Sequence, residues 1–462
     1  MTGGAEGVGS LLSKSAAQLS SAYRANECSP VDVIHALRAA IEQDVRGINA
    51  FCHLDWPAAL SAAQESERRY RSGQVLGRLD GVPVSIKDLV NVAGWPTRRG
   101  SLATSDFPPA AVDAPAVAQL RAAGAIVFGK TTTTEFGWTI GSENPYSGVT
   151  RNPLDPERSA GGSSSGASAQ VAAGWGPIAL GSDAGGSVRI PAAFCGLVGF
   201  KPTFGGIPLA PSSAFAEYAH LGVLTRSVDD CYAAMSPFAP DPLDPSSLFP
   251  RVDVSVERPL RIGWSSVLGS RVQPDPLVAR AFGQTIGKLA EAGYDLEEVS
   301  LGLEDASESM WTVWCSRIFE SFQAWPESRR VLLSDELRDA YEAGRALDMA
   351  ALAASRTRLR EMATTLAGLF CRIDMLLTPA APSVAPGLDK ERAASGRRDF
   401  NWFDVNGYAY PFNVSQQPAL SLPMGVAEHG LPCSLQIAGR SYHDGQVLKF
   451  GSVVEGLLKS WT

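Results

Sequence analysis

The run IALGSDAGGSVRIP, residues 178–191, decides how this chain is read. Three apolar residues, Ile178-Ala179-Leu180, lead into a turn of small residues. Ser187 follows Gly185-Gly186 there, with Asp183 and Arg189 on either side. A Gly-Gly-Ser triplet is most often a tight turn. It also suits a serine nucleophile. Glycine has no Cβ, so consecutive amides can converge on one spot and a substrate carbonyl can come close. On this segment alone both readings stand.

A second cluster, SAGGSSSGASAQVAAG, lies upstream at residues 159–174. Gly162 to Gly166 fits G-x-S-x-G, the nucleophile elbow of α/β-hydrolases, with Ser164 as nucleophile. The elbow needs a buried strand directly before it, and the preceding TRNPLDPERSA is polar and broken by two prolines. A phosphate-binding loop is excluded because no Gly-Lys-Ser/Thr closes the cluster. A flexible loop capping the Ala-rich helix that follows remains open. Serine needs a base, and none of the five histidines (35, 53, 220, 429, 443) falls inside either cluster. In GRLDGVPVSIKDLVNVAG the apolar strand VPVSI delivers Lys87 to its C-terminal end, where sites form in open α/β sheets. Lys87 reads either as an ordinary strand-end cation or as that base.

The 462 residues could hold one large α/β domain or two to three ordinary ones. With 45% hydrophobic and 19% charged residues the chain is a packed globular one. A net charge of −8 without a long basic run disfavours nucleic acid as a partner. No uncharged apolar stretch is long enough to span a bilayer, and MTGGAEGVGSLLSKS lacks the basic and apolar regions of a secretory signal. Seven scattered cysteines with no C-x-x-C pair argue against a zinc site or a disulfide framework and suit a cytoplasmic setting. Neither a metal nor a cofactor is expected.

Ser29-Pro30 predicts the start of a helix through VDVIHALRAAIEQ. Residues 48–51 form a strand candidate, and PAALSAAQESERRYRSG a helix closed by Gly73. From Gly77 to about Arg226, the strands VPVSI, AIVFG, PIALGS and LVGFKP alternate with helices and glycine-rich loops, an α/β pattern. Residues 236–258 are a proline-rich connection. PLRIGWSS, DPLVARAFGQTIGKLAEAG and YDLEEVSL follow as strand, helix and strand, and about 306–372 is mostly helical. IDMLLTPAAP and a hairpin-like pair, PALSLPMG and LPCSLQIAG, precede a C-terminal helix. Sheet-like segments flank the helical insertion, so one interrupted domain is expected.

Lys87 and the two serine clusters together resemble the amidase signature family. The resemblance is carried by GRLDGVPVSIKD, by GKTTTTEFGWTIGSENPYSGVTRNPLDPERSAGGSSSG and by ALGSDAGGSVRIPAAFCGLVGFKPT. HLGVLTRSVDD, PFNVSQQPALSLPMG and GLPCSLQIAG extend it. It covers roughly residues 25–460, with 236–370 matching in outline only. It implies an α/β fold, a single large domain with a central mixed sheet surrounded by helices. An N-terminal helical segment (1–75) would pack on a signature core (76–235). A mostly helical substrate-side insertion (236–372) and C-terminal strands and helix (373–462) would complete it.

The resemblance further implies amide hydrolysis by a Ser–cis-Ser–Lys triad: Ser187 as nucleophile, Ser163 as bridge after a cis Gly162–Ser163 peptide, and Lys87 as base. The backbone amides of Ala184, Gly185, Gly186 and Ser187 would form the oxyanion hole, with Asp183 and Arg189 supporting the loop. Ser165, Val223 and Ser415-Gln416-Gln417 depart from the family pattern and are expected to bear on substrate choice. Lysine is a base only when neutral, which requires burial to lower a pKa of about 10.4. The expected substrate is a small aryl or apolar amide, with esters or carbamates as further possibilities, acted on by a monomer or homodimer. The family also contains amidotransferase subunits that release ammonia from glutamine within a complex. Trp311, Cys315, Ile318 and Phe322 fall at helical spacing and predict a core-facing stripe; the aromatic stretches 309–325 and 399–413 are the candidate pocket walls.

Overall fold

Short-range signals set the first elements. Ser29 and Asp32 close a capping box on the helix Pro30–Glu42, and Gly73, left-handed at φ 72°, ends the helix Trp56–Ser72. This computed structural model describes residues 11–238, 260–268, 272–300, 302–303, 305–389, 405–426 and 430–459. Most of the proline-rich connection 236–258 and residues 399–404 of the second aromatic stretch lie outside them.

Eleven strands form one mixed sheet. In chain order they are β1 (Phe51–Leu54), β2 (Pro83–Lys87), β3 (Ile126–Thr131), β4 (Ile178–Asp183), β5 (Val198–Lys201) and β6 (His220–Thr225). β7 (Ile262–Trp264), β8 (Leu296–Glu298), β9 (Met375–Pro379), β10 (Ala419–Val426) and β11 (Pro432–Gly439) follow. Their order across the sheet is β1-β3-β2-β4-β6-β5-β10-β11-β9-β7-β8. β2 runs parallel to both β3 and β4, whereas β4 to β9 are joined by antiparallel pairs. The helices Ser307–Phe322, Asp335–Arg345 and Met349–Arg372 interrupt the chain between β8 and β9, and both of these strands belong to the same sheet. The fold is therefore one α/β domain.

Two strand expectations are corrected. The first strand begins at Phe51 rather than Ile48, because Asn49 takes a left-handed φ of 56° that breaks the extended run. β6 was not singled out from the residue pattern. It pairs with both β4 and β5, and a side chain at Gly222 would sit 2.4 Å from the Phe200 carbonyl oxygen.

The period of two along a strand sorts the buried side chains. Val84 and Ile86 of β2, Ile178 and Leu180 of β4, and Leu221 and Val223 of β6 build one apolar core. Ser85, Lys87 and Asp183 alternate with these positions. On that side lies the helix Ser165–Ala172, buried from Ser165 through Val171. Ser85 Oγ donates to Gln170 Oε1 of this helix at 2.7 Å.

Close approach at this helix depends on Gly166, where an added Cβ would stand 2.2 Å from Ala50 O and 2.4 Å from Thr132 N. Both obstacles are backbone and cannot swing aside. Gly166→Ala is expected to lose about 1–3 kcal/mol or more of stability, read as a fall in the urea midpoint; an unchanged midpoint would contradict this packing.

Candidate active site

Lys87 ends β2 on the helix-facing side and is fully buried. Its Nζ lies 2.8 Å from Ser163 Oγ, 2.9 Å from Ser164 Oγ and 3.4 Å from Ser182 O. Ser163 follows a cis peptide from Gly162. A Cβ on Gly162 would fall 1.9 Å from Gly141 O, so no side chain fits there. Burial pulls the Lys87 pKa well below the ordinary lysine value, and Asp183 pulls more weakly the other way.

The loop after β4 is built on one ion pair. Asp183 and Arg189 are both wholly buried, and Arg189 Nε and Nη2 donate to the two carboxylate oxygens at 3.0 and 2.9 Å. The remaining guanidinium hydrogens reach Asn413 Oδ1 (2.7 Å), Ala409 O (2.9 Å) and Gln436 Oε1 (2.8 Å). Burial opposes ionisation of Asp183, but Arg189 overrides it and holds the carboxyl far below the usual carboxylate range. Asn413 and Gln436, which carry the late chain into this network, had no local signal in the sequence.

The glycines of the loop serve space as well as amides. A Cβ on Gly185 would stand 2.7 Å from the Trp314 ring. One on Gly186, at φ 113°, would stand 2.6 Å from Ile190 Cδ1 and 2.7 Å from Ala409 Cβ. The Gly186 amide donates to Asp183 Oδ1 at 2.7 Å. The loop's own carboxylate thus occupies the Gly186 N–H, one of the four amides expected to face an oxyanion. Ser187 carries its hydroxyl at the edge of the cavity that Ser163 also lines. Its carbonyl accepts from Ser164 N at 3.2 Å, tying the two serine clusters together.

Ser164, the nucleophile of the elbow reading, is instead wholly buried. Its Oγ donates to Ser182 O at 3.2 Å and accepts from Lys87. The segment before it is a short polar ladder, Arg151–Asn152 against Asp155–Ser159, outside the main sheet. Among the described residues no histidine hydrogen-bonds to either serine cluster. His220 lies opposite Asp183 in the sheet, yet its Nδ1 faces Tyr218 O at 2.9 Å.

An aromatic chamber adjoins Ser187, formed by Trp138, Phe215, Trp311 and Trp314. Ring centroids lie 5.5 Å apart for Trp138–Trp311 and 5.4 Å for Phe215–Trp314. The core stripe expected on the helix Ser307–Phe322 is present for Cys315, Ile318 and Phe322. Trp311 instead is 40% exposed at the chamber, and Trp314, outside that stripe, is the buried wall. The three departures from the family pattern line neither chamber beside Ser187. Val223 packs in the core on the sheet face opposite Lys87, and Ser165 is buried in the first helical turn. Ser415 Oγ bonds Gln417 Oε1 at 2.7 Å, and Gln416 Nε2 donates to Glu217 O at 2.9 Å. Among the described residues no group of three or more His, Cys, Asp or Glu side chains could hold a metal, and no helix is long and apolar enough to cross a membrane.

The ion pair predicts a clear stability cost. Asp183→Asn keeps the shape but leaves a buried guanidinium uncompensated, expected to cost about 3–5 kcal/mol in denaturant unfolding. Arg189→Lys is expected to fall short as well, because a single ammonium cannot reach five acceptors spread over three segments. Wild-type stability in both variants would refute the assignment.

Comparison with known proteins gives the chain its family. The chain matches the family described as Amidase over residues 32–448. It is 34% identical over 463 residues to an acylamidase of Rhodococcus erythropolis, covering 96% of this chain and 95% of the relative. It is 32% identical over 491 residues to one of the subunits of the glutamyl-tRNA(Gln) amidotransferase of Acidothermus cellulolyticus, covering 98% and 96% of the two chains. Among solved structures, a bacterial aryl acylamidase of the amidase signature enzymes family superposes with a TM-score of 0.85 at 27% identity, over 96% of each chain. The chain therefore belongs to the amidase signature family, and the activity that goes with that membership is hydrolysis of an amide C–N bond.

Proposed function

We propose that the protein hydrolyses a small aryl or otherwise apolar carboxamide through an acyl-enzyme on Ser187, with Lys87 as base and Ser163 as the bridge between them. The contact of fully buried Lys87 with Ser163 carries this reading. Ser164 Oγ gives its own hydrogen to Ser182 O, so Lys87 must donate to it. A second N–H faces Ser182 O at 3.4 Å. An ammonium would donate to all three oxygens; once Lys87 is neutral its two hydrogens serve Ser164 and Ser182, and its lone pair can take the Ser163 proton across the 2.8 Å contact. Burial without an ion-pair partner favours that neutral form.

In this mechanism Ser187 Oγ attacks the carbonyl carbon while its proton passes to Ser163 and the Ser163 proton passes to Lys87. The carbonyl pair becomes an oxyanion facing the amides of Ala184, Gly185 and Ser187, each donor contributing about 3–4 kcal/mol to the transition state. The C–N bond then breaks as Ser163 protonates the leaving nitrogen and Lys87 returns its proton. Water repeats the sequence on the acyl-serine, releasing the acid.

The tryptophan chamber supports a flat, apolar acyl group. The same serine–lysine set would serve an amidotransferase, but a glutamine side chain would make little use of three indoles. Seven free cysteines suit action in the cytoplasm, as a monomer or homodimer. Assaying the purified chain alone on glutamine and on simple anilides separates the two: anilide turnover supports the amidase, and no turnover of either without partner subunits would favour the amidotransferase.

Ser187→Ala is expected to abolish turnover, and a fluorophosphonate to label Ser187 and no other serine, read by peptide mass mapping. Label on Ser164 would overturn the assignment. The base has its own signature in pH. Because burial lowers the Lys87 pKa, kcat/KM for a neutral amide should rise with pH as the lysine deprotonates, then level off. Lys87→Ala and Lys87→Arg should each lose about 100-fold or more and lose that limb of the profile. A variant that keeps the same limb would exclude Lys87 as the titrating base.

A further inference from the structure

Two chambers meet at Ser187, and they differ in chemistry. They share Gly137, Ala184, Ser187 and Phe215. The tryptophan chamber does not include Ser163. The other does, together with Leu89, Leu209, Ser212, Ser213 and Arg99. In the proposed reaction the leaving nitrogen must lie within reach of its proton donor, Ser163. The amine half of the substrate therefore belongs in the second chamber and the acyl half among the tryptophans.

Two charged residues line the second chamber: Asp183, which is paired with Arg189, and Arg99. Its main chain is fixed: φ is 55°, and Arg99 O accepts from Phe136 N at 2.8 Å. Its guanidinium has five N–H donors but, among the described residues, makes one hydrogen bond, from Nη1 to Thr97 O at 3.2 Å. Among the described residues no carboxylate is ion-paired with it. Asp88, the carboxylate that acts on it electrostatically, is engaged by Lys130 Nζ at 2.8 Å and by the Arg98 amide at 3.1 Å. Burial accordingly disfavours the charge on Arg99, with Asp88 only partly compensating. The adjacent Arg98 differs: its Nη1 donates to Thr104 O and Phe107 O at 3.1 and 2.5 Å, a structural use. A guanidinium with N–H donors to spare, lining a substrate chamber beside Ser212 and Ser213, suits an oxyanion of fixed geometry.

We propose that Arg99 binds a carboxylate carried by the amine half of the substrate, so that preferred substrates are flat apolar acyl groups joined to an amino acid or an aminoarene carboxylate. The proposal rests on the acyl-enzyme reading above, since Ser163 as proton donor assigns the chambers.

The test compares kcat/KM within two matched pairs. One is N-phenylacetyl-4-aminobenzoate against the 4-toluidide, the other N-phenylacetylglycine against N-phenylacetylpropylamine. Intrinsic reactivity cancels when each ratio is compared between wild type and variants, and fluorophosphonate titration of Ser187 corrects for folded protein. At least one ratio should fall about tenfold or more in Arg99→Gln, the scale of a charge-assisted pair, and less in Arg99→Lys; the larger change identifies the amine class. Ratios in Arg99→Gln equal to wild type in both pairs would overturn the proposal. A second arm does not need turnover: calorimetry of the two carboxylate amides on Ser187→Ala, with and without Arg99→Gln. Weaker binding without Arg99 supports the site, and equal or undetectable binding in both backgrounds counts against it. Failure of the acyl-enzyme reading would appear separately, as absent label on Ser187.

Discussion

The Asp183–Arg189 pair is the constraint on which the candidate active site is built. Two opposite charges are wholly removed from water, which is tolerable only because every guanidinium hydrogen finds an acceptor. Those acceptors come from the end of β4, from the late segment around Ala409 and Asn413, and from Gln436 on β11. The carboxylate in turn takes the amides of Gly186 and Val188, at 2.7 and 3.1 Å. One side-chain network thus curls the loop around Ser187 and anchors it to segments that lie far along the chain.

The same pair shapes the chemistry next to it. Lys87 is flanked by two buried carboxylates, Asp88 in sequence and Asp183 across the sheet. Asp183 is neutralised by Arg189, and Asp88 by Lys130 at 2.8 Å. Lys87 is left with hydroxyls and a carbonyl and no counter-ion of its own, so burial disfavours its charge. Lys130, equally inaccessible, has the counter-ion that Lys87 lacks. Two lysines on adjacent strands therefore meet opposite electrostatic conditions, and the one without a partner suits a proton acceptor.

The chamber beside Ser187 takes two of its walls, Trp311 and Trp314, from a helix far along the chain from the signature residues. Trp314 packs over Gly185 so closely that a methyl group there would collide with its ring. The chamber wall and the loop glycine are therefore one fitted unit. Helix Ser307–Phe322 bears that tryptophan, and the helix Asp335–Arg345 packs against it at Gly344, where a Cβ would fall 2.1 Å from Cys315 O. The insertion is positioned by backbone contact as well as by burial of its apolar faces.

The sequence by itself determined the features set by neighbouring residues. The caps at Ser29 and Gly73, the strand that carries Lys87, and the closing pair β10 and β11 all follow from short-range propensity and alternation. The glycine-serine clusters and Lys87 were legible as motifs because the family resemblance tied three distant segments together. The tertiary structure alone decided which surfaces meet. That Ser164 is a second neighbour of Lys87, and that Trp311 leaves the core stripe while Trp314 walls the chamber, depends on long-range packing. Helical spacing gives an angle around an axis, not the identity of what lies opposite. The roles of Asn413, Gln436 and Arg99 were likewise invisible, because a polar side chain acquires its partner, or lacks one, only when the sheet and the insertion close around it.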